Sequence, residues 1–185
     1  MGSGRWLVGG EQWASLPAGF RTTHDPARQY ARPGATLTCH TTIRLSTRLP
    51  TEFLDVTSRI EALVAHARLE AGFVNIQTRH TTTGIVVNEH EPLLLADFRS
   101  LLERTAPDDG RYRHDDLAMR TVNVLDGERP NGHAHCRALL LPSSACLNVT
   151  GGRLGLGRWQ RLFFVELDGP RERELSLMLL GETRR

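Results

Sequence analysis

The clearest signal along the chain is a change of hydrophobic period. Leu37, Cys39, Thr41, Ile43 and Leu45 alternate with Thr38, His40, Thr42 and Arg44, the two-residue repeat of a half-buried strand. A second short strand is predicted over 52–56. Apolar positions then move to helical spacing, with Ile60, Leu63, Val64 and Ala67 on one face. Ser58 and Glu61 read as a capping box at the start of that helix and Gly72 as its stop. Segments 73–79 and 83–88 are β-branched and apolar in the middle and predict strands. Glu91-Pro92 opens a second helix, since proline is tolerated in a first turn, and Leu94, Leu95, Phe98, Leu101 and Leu102 form its apolar face. Residues 105–132 are polar and irregular, a loop length that in a compact domain is often functional. A short helix is predicted over 133–141, stopped by Pro142. The remainder reads as an antiparallel meander: 144–149, a turn at Gly151-Gly152, a pairing through Leu156, then 159–167 and 174–180.

Strands grouped around two main helices, without strict βαβ alternation, predict an α+β fold. The length of 185 residues predicts one domain. Residues 1–34 stand apart: they are rich in Gly, Pro and Ala, with scattered Trp6, Trp13, Phe20 and Tyr30 and no sustained period. They read as an N-terminal extension that drapes over the domain or is partly disordered, and 35–185 as the domain itself.

Charge and cysteine content narrow the function. Twenty-three basic residues against 21 acidic give a net charge of +2, with the arginines dispersed; this argues against a nucleic-acid partner. No run approaches the roughly 20 apolar residues of a membrane helix, and the first 30 residues lack the apolar segment of a signal peptide. A cytoplasmic protein with no membrane partner is expected. Three cysteines, none in a C-x-x-C pair, fit a reducing compartment. Cys136, beside His135, reads as a small buried thiol.

The candidate chemistry centres on histidine. His80 ends a predicted strand, His114 opens His114-Asp115-Asp116 in the long loop, and His133 and His135 form His-x-His after Asn131-Gly132. On an extended segment the last two would point the same way and reach one ion; on a helix they would diverge. Three histidine ligands with an open fourth position suit a catalytic metal, here a divalent ion, zinc or magnesium. His80, His114 and His135 are the candidate ligands, with His133 able to substitute, and Asp115 and Asp116 could orient a ring. The competing reading is solvated loop histidines. Glu89, Asp116 and Asn88 are candidate catalytic residues; Glu89 serves equally well as a general base or as helix-capping charge. Arg113, Arg120, Ser143 and Ser144 are candidate phosphate contacts. The Gly-rich segment 151–157 matches neither a P-loop nor a dinucleotide fingerprint and reads as turn chemistry.

Taken in order, these motifs resemble those of the YjbQ-type family, often labelled secondary thiamine-phosphate synthase. The carrying segments are His80-Thr81-Thr82, Asn88-Glu89, Tyr112 through Asp116, Asn131 through His135, Leu139 through Ser144, and Gly152 through Gln160. The resemblance spans roughly 35–181. Pro142 stands where glycine is usual and Arg158 where threonine is common. The resemblance implies a compact α+β fold, a homotrimer, a polar histidine and carboxylate cleft with a divalent metal in some members, and weak thiamine-phosphate synthase activity. That reaction joins a pyrimidine methyl diphosphate to a thiazole phosphate and releases diphosphate, so a small phosphorylated metabolite is the expected partner. The alternative expectation is a non-catalytic metal- or ligand-binding homotrimer.

Overall fold

A computed structural model describes residues 35–184, preceded by the backbone of three short strands, β1 (Leu7–Val8), β2 (Glu11–Gln12) and β3 (Phe20–Thr22). The rest of the predicted extension lies outside the described residues. The main elements are β4 (Thr36–Ser46), β5 (Glu52–Asp55), α1 (Thr57–His66), β6 (Leu69–Thr78), β7 (Thr83–Glu89), α2 (Pro92–Thr105), α3 (Gly132–Ala138), β8 (Ser144–Thr150), β9 (Arg153–Leu154), β10 (Gln160–Glu166) and β11 (Glu172–Thr183). The α+β class is as expected.

Two antiparallel sheets face each other. A six-stranded sheet runs β3-β4-β11-β6-β8-β9 and a three-stranded sheet runs β5-β10-β7. Alternation decides which side chains go between them: Ile43 and Leu45 on β4, Val74 and Ile76 on β6, and Leu175, Leu177 and Leu179 on β11 all point inward and are buried. Leu162 and Phe164 of β10 and Ile60, Leu63 and Val64 of α1 close that core. The other face of β10, through Phe163 and Val165, packs with Leu167 just beyond its end on Leu95 and Leu102 of α2 and Ala134 of α3.

That double burial overturns the predicted meander. Leu162 to Val165 and Leu167 are all buried, so β10 needs cover on both faces and takes the centre of the small sheet between β5 and β7. β11 crosses back to the large sheet and inserts between β4 and β6.

Both predicted signals around α1 are corrected. Val56 occupies the N-cap with no side-chain cap, and Ser58 lies inside the first turn; Asp55 Oδ1 instead accepts from the Thr57 N–H at 2.9 Å. The helix stops at Arg68, which adopts a left-handed φ of 53°. Gly72 is four residues into β6. It pairs directly with Gly181, and a Cβ on Gly72 would lie 2.1 Å from the Leu180 carbonyl oxygen. That glycine answers to close strand approach, which mimics a helix stop in the sequence. α2 matches its prediction, with Glu91 accepting from the Leu93 and Leu94 N–H groups. Leu101, placed on its apolar face, is exposed.

Three connections between the sheets meet at one buried ion pair. Glu166 ends β10 and Arg173 begins β11, and Arg173 Nε and a terminal nitrogen donate to the two Glu166 oxygens at 2.7 Å each. Thr47, from the β4–β5 connection, donates to Glu166 at 3.1 Å. Arg173 in turn donates to Thr82, from the β6–β7 connection, at 3.0 Å. The Leu167 and Asp168 N–H groups complete the carboxylate's set at 3.0 and 2.9 Å.

Candidate functional site

His80 is presented by a stapled turn. Thr78 and Thr83 share a 2.5 Å hydroxyl contact across it, Thr83 donates to the His80 carbonyl at 3.2 Å, and the His80 N–H donates to Thr78 at 3.3 Å. Its imidazole Nε2 accepts from the Glu174 N–H of β11 at 2.9 Å. Burial and then the Arg173 charge hold the ring below the ordinary histidine range, against opposing effects of Glu166 and Glu174.

His135 arrives from the opposite side, on α3. Asp115, in a short 3-10 turn (Arg113–Asp115), accepts from the Asn131 and Gly132 N–H groups at 2.9 Å each and so fixes the start of that helix. Asn131 Nδ2 donates to Asp168 at 3.0 Å, which links α3 to the connection that begins at Glu166. His114, on the same 3-10 turn, meets the His135 ring edge-on at a centroid distance of 4.6 Å. Burial, then the His114 charge, lowers the His135 pKa. His80, His135 and Ser143 line one open pocket of about 420 Å³, with Arg79 and Leu139 on its walls.

The structure therefore brings His80, His114, His135 and Ser143 together. His133 is placed elsewhere. It lies on helical α3, so the two histidines of His-x-His diverge, and His133 Nε2 sits 3.6 Å from Asp108. Asp116 accepts from the Ala118 N–H at 3.1 Å and shapes the loop. Arg120 is consumed internally, donating to His114 Nε2 at 2.8 Å, to the Asn123 carbonyl at 3.0 Å and, in a very close contact, to Glu128. Arg113 is exposed, and Ser144 is on the outer side of β8, opposite Gln77. Asn88 and Glu89 end β7 opposite Arg161 and Gln160, about 20 Å along the strand from Thr83, remote from the histidines of the same chain.

A three-histidine metal site does not fit this arrangement. A neutral imidazole has one nitrogen lone pair to give. That of His80 is taken by a backbone N–H and that of His114 by a guanidinium. Among the described residues, no group of three or more His, Cys, Asp or Glu is disposed to hold a metal ion. What the arrangement offers is proton chemistry: neutral imidazoles at an open pocket, backed by a buried ion pair. Two buried polar atoms near the helix start, Asn131 Oδ1 and Arg120 Nε, have no hydrogen-bond partner among the described residues.

Sequence reasoning missed Glu166, Arg173, Thr47, Thr82 and Asp168. The signal was there in parity: Arg173 shares the inward phase of Leu175, Leu177 and Leu179, and Glu166 that of Leu162 and Phe164. Cys136 is exposed where a buried thiol was expected. No helix among the described residues is long and apolar enough to cross a membrane.

Comparison with known proteins places these features in a family. The model of the UPF0047 protein YjbQ-like family matches residues 41–182. A UPF0047 protein of Methanothermobacter thermautotrophicus is 37% identical over 140 residues, 76% of this chain and 89% of its own length. One from Archaeoglobus fulgidus is 36% identical, over 75% of this chain and 98% of its own. The crystal structure of a YbjQ-like protein from Sulfolobus solfataricus P2 superposes with a TM-score of 0.70 at 32% identity, covering 80% of this chain and 100% of that one. By sequence and by fold, the chain belongs to the UPF0047 YjbQ-like family.

Proposed function

We propose that the His80–His135 pocket is the catalytic centre of an enzyme acting on a small phosphorylated metabolite, with a reaction of the thiamine-phosphate synthase type. The observation that carries this reading is the convergence of His80 and His135, from separate elements, on one pocket beside a buried ion pair. In such a reaction the bond from the pyrimidine methylene carbon to the diphosphate oxygen breaks, and a bond from that carbon to the thiazole nitrogen forms. The diphosphate leaves with the electron pair. His135 gives or takes a proton at its oxygens, for which a pKa below the ordinary histidine range is suitable, and His80, whose Nε2 is held by the Glu174 N–H, donates a hydrogen bond from Nδ1. Arg79 and Ser143 on the pocket wall supply donors for phosphate oxygens. No step is assigned to a zinc or magnesium ion, because the lone pairs of His80 and His114 are committed.

Purified protein should turn over the pyrimidine diphosphate and thiazole phosphate pair, and His135→Ala and His80→Asn should each lower the rate about 10²–10⁴-fold. His66→Ala, on α1, should leave it unchanged. Absence of turnover on this pair and on other phosphorylated metabolites would move the balance to the ligand-binding alternative.

A homotrimer is part of the same proposal. It is supported by the outer face of the six-stranded sheet, where Phe73 and Met178 are exposed on neighbouring strands β6 and β11, apolar area suited to subunit contact. Light scattering at micromolar concentration should give three times the chain mass; a monomer would remove this part of the reading.

The lowered histidine pKa values set a pH dependence. For a histidine with a depressed folded pKa, the unfolded chain binds more protons in the window between the two values, so stability rises with pH there. The contribution of His80 and His135 should be complete above about pH 6.5 and be lost as pH falls through their lower folded values. Urea unfolding between about pH 7 and 5 should show this loss, reduced in His135→Asn. A flat or opposite slope would contradict it.

A further inference from the structure

A second cavity, larger than the histidine pocket, lies at the other end of the small sheet. Its volume is about 720 Å³, within the range of small-molecule sites. One wall is the start of α1, with Asp55, Ser58 and Glu61; the other is the segment after the β8–β9 turn, with Arg153, Arg158 and Arg161. Residues 152–161 carry three arginines and no acid. Arg161 stands opposite Asn88 in the β10–β7 pairing, about 16 Å along β7 from the His80 turn.

These arginines differ from those that build the fold. Among the described residues, Arg44, Arg120, Arg129, Arg137, Arg171, Arg173 and Arg184 pair with carboxylates. None of the described ion pairs involves Arg153, Arg158 or Arg161. Arg158 lies over the exposed Trp159 ring, 4.5 Å from its centroid, a stacking that leaves the edge N–H groups of the guanidinium available. Arg161 donates one bond to the Gln160 carbonyl at 2.7 Å and keeps further donors. Of the two facing carboxylates, Asp55 is engaged by the Thr57 N–H at 2.9 Å and His90 Nδ1 at 2.9 Å. With Glu61 that makes two carboxylates opposing three guanidiniums, so the cavity keeps a net positive charge.

We propose that this cavity binds the phosphate or diphosphate group of a small phosphorylated molecule, held by Arg153, Arg158 and Arg161, at a site separate from the histidine pocket. Arginine presents a planar fork of donors that matches phosphate oxygens. The Ser58 hydroxyl on the opposite wall adds a further donor. The organic portion occupies the remaining volume between α1 and the hairpin. The assignment stands on the cavity and its unpaired cations and does not depend on what the histidines do.

The experiment uses the full chain with inorganic phosphate and inorganic diphosphate as probes, followed by calorimetry. Saturable binding is expected, weakened about 10-fold or more in Arg158→Ser/Arg161→Ser and unchanged in Arg104→Ser, an exposed position on α2. Circular dichroism of the probe-free variants checks that they fold. Should the double variant fail to fold, Arg153→Gln, on the short hairpin strand, carries the same expectation of weakened binding. Undiminished binding in the Arg153, Arg158 and Arg161 variants, an equal loss in Arg104→Ser, or no saturable binding of either probe to wild type up to about 10 mM overturns the proposal.

Discussion

The architecture depends on a carboxylate placed where no water reaches it. Glu166 is fully buried between the sheets, and an ion pair in such surroundings pays a desolvation cost that can exceed its attraction. Burial does push the carboxyl upward, yet the Arg173 hydrogen bonds, the Asp168 N–H, the Arg173 charge and the Thr47 hydroxyl outweigh it and hold its pKa below the usual glutamate range. A pair of this kind contributes little net stability over a well-packed apolar pair. What it fixes is geometry: it makes the three connections between the sheets at this end depend on one charge.

The candidate site inherits that order. His80 lies in the β6–β7 connection and is bound to the β11 backbone one residue after Arg173. Asp168, whose N–H is held by Glu166, carries Asn131 and thereby the start of α3. His135 follows from α3, and His114 from the turn whose Asp115 closes that helix. Arg137 fixes the far side of α3, buried and bound to Glu103 at 2.7 Å and Asp108 at 2.6 Å. The side chains of the candidate site are thus placed from two directions.

Much of this was legible in the sequence where a local pattern has one physical meaning. The alternation in β4, the apolar face of α2 and the long loop ahead of α3 were read from periodicity and composition. The histidines to be grouped were also legible, because His80, His114 and His135 occur at element ends or in that loop. Long-range pairing was not. The meander reading failed because nothing local in β10 says which sheet it joins; only its burial on both faces does. Gly72 was misread because a glycine for close strand approach and a glycine for a helix stop look alike. Asn88 and Glu89 were grouped with the histidines because adjacency to a motif in sequence says nothing about which end of a strand faces the pocket.

The central claim, that Glu166 and Arg173 couple the sheet connections, is tested most directly by a double-mutant cycle on Thr47 and Thr82. Thr47→Val and Thr82→Val, alone and together, would be measured by denaturant unfolding, and the cycle repeated in a Glu166→Gln background. The two threonines belong to different loops and reach each other through the ion pair. A coupling of about 0.5 kcal/mol or more that vanishes with Glu166→Gln is the predicted result. Additive effects in the wild-type background, or a coupling that persists without the carboxylate charge, would contradict the account.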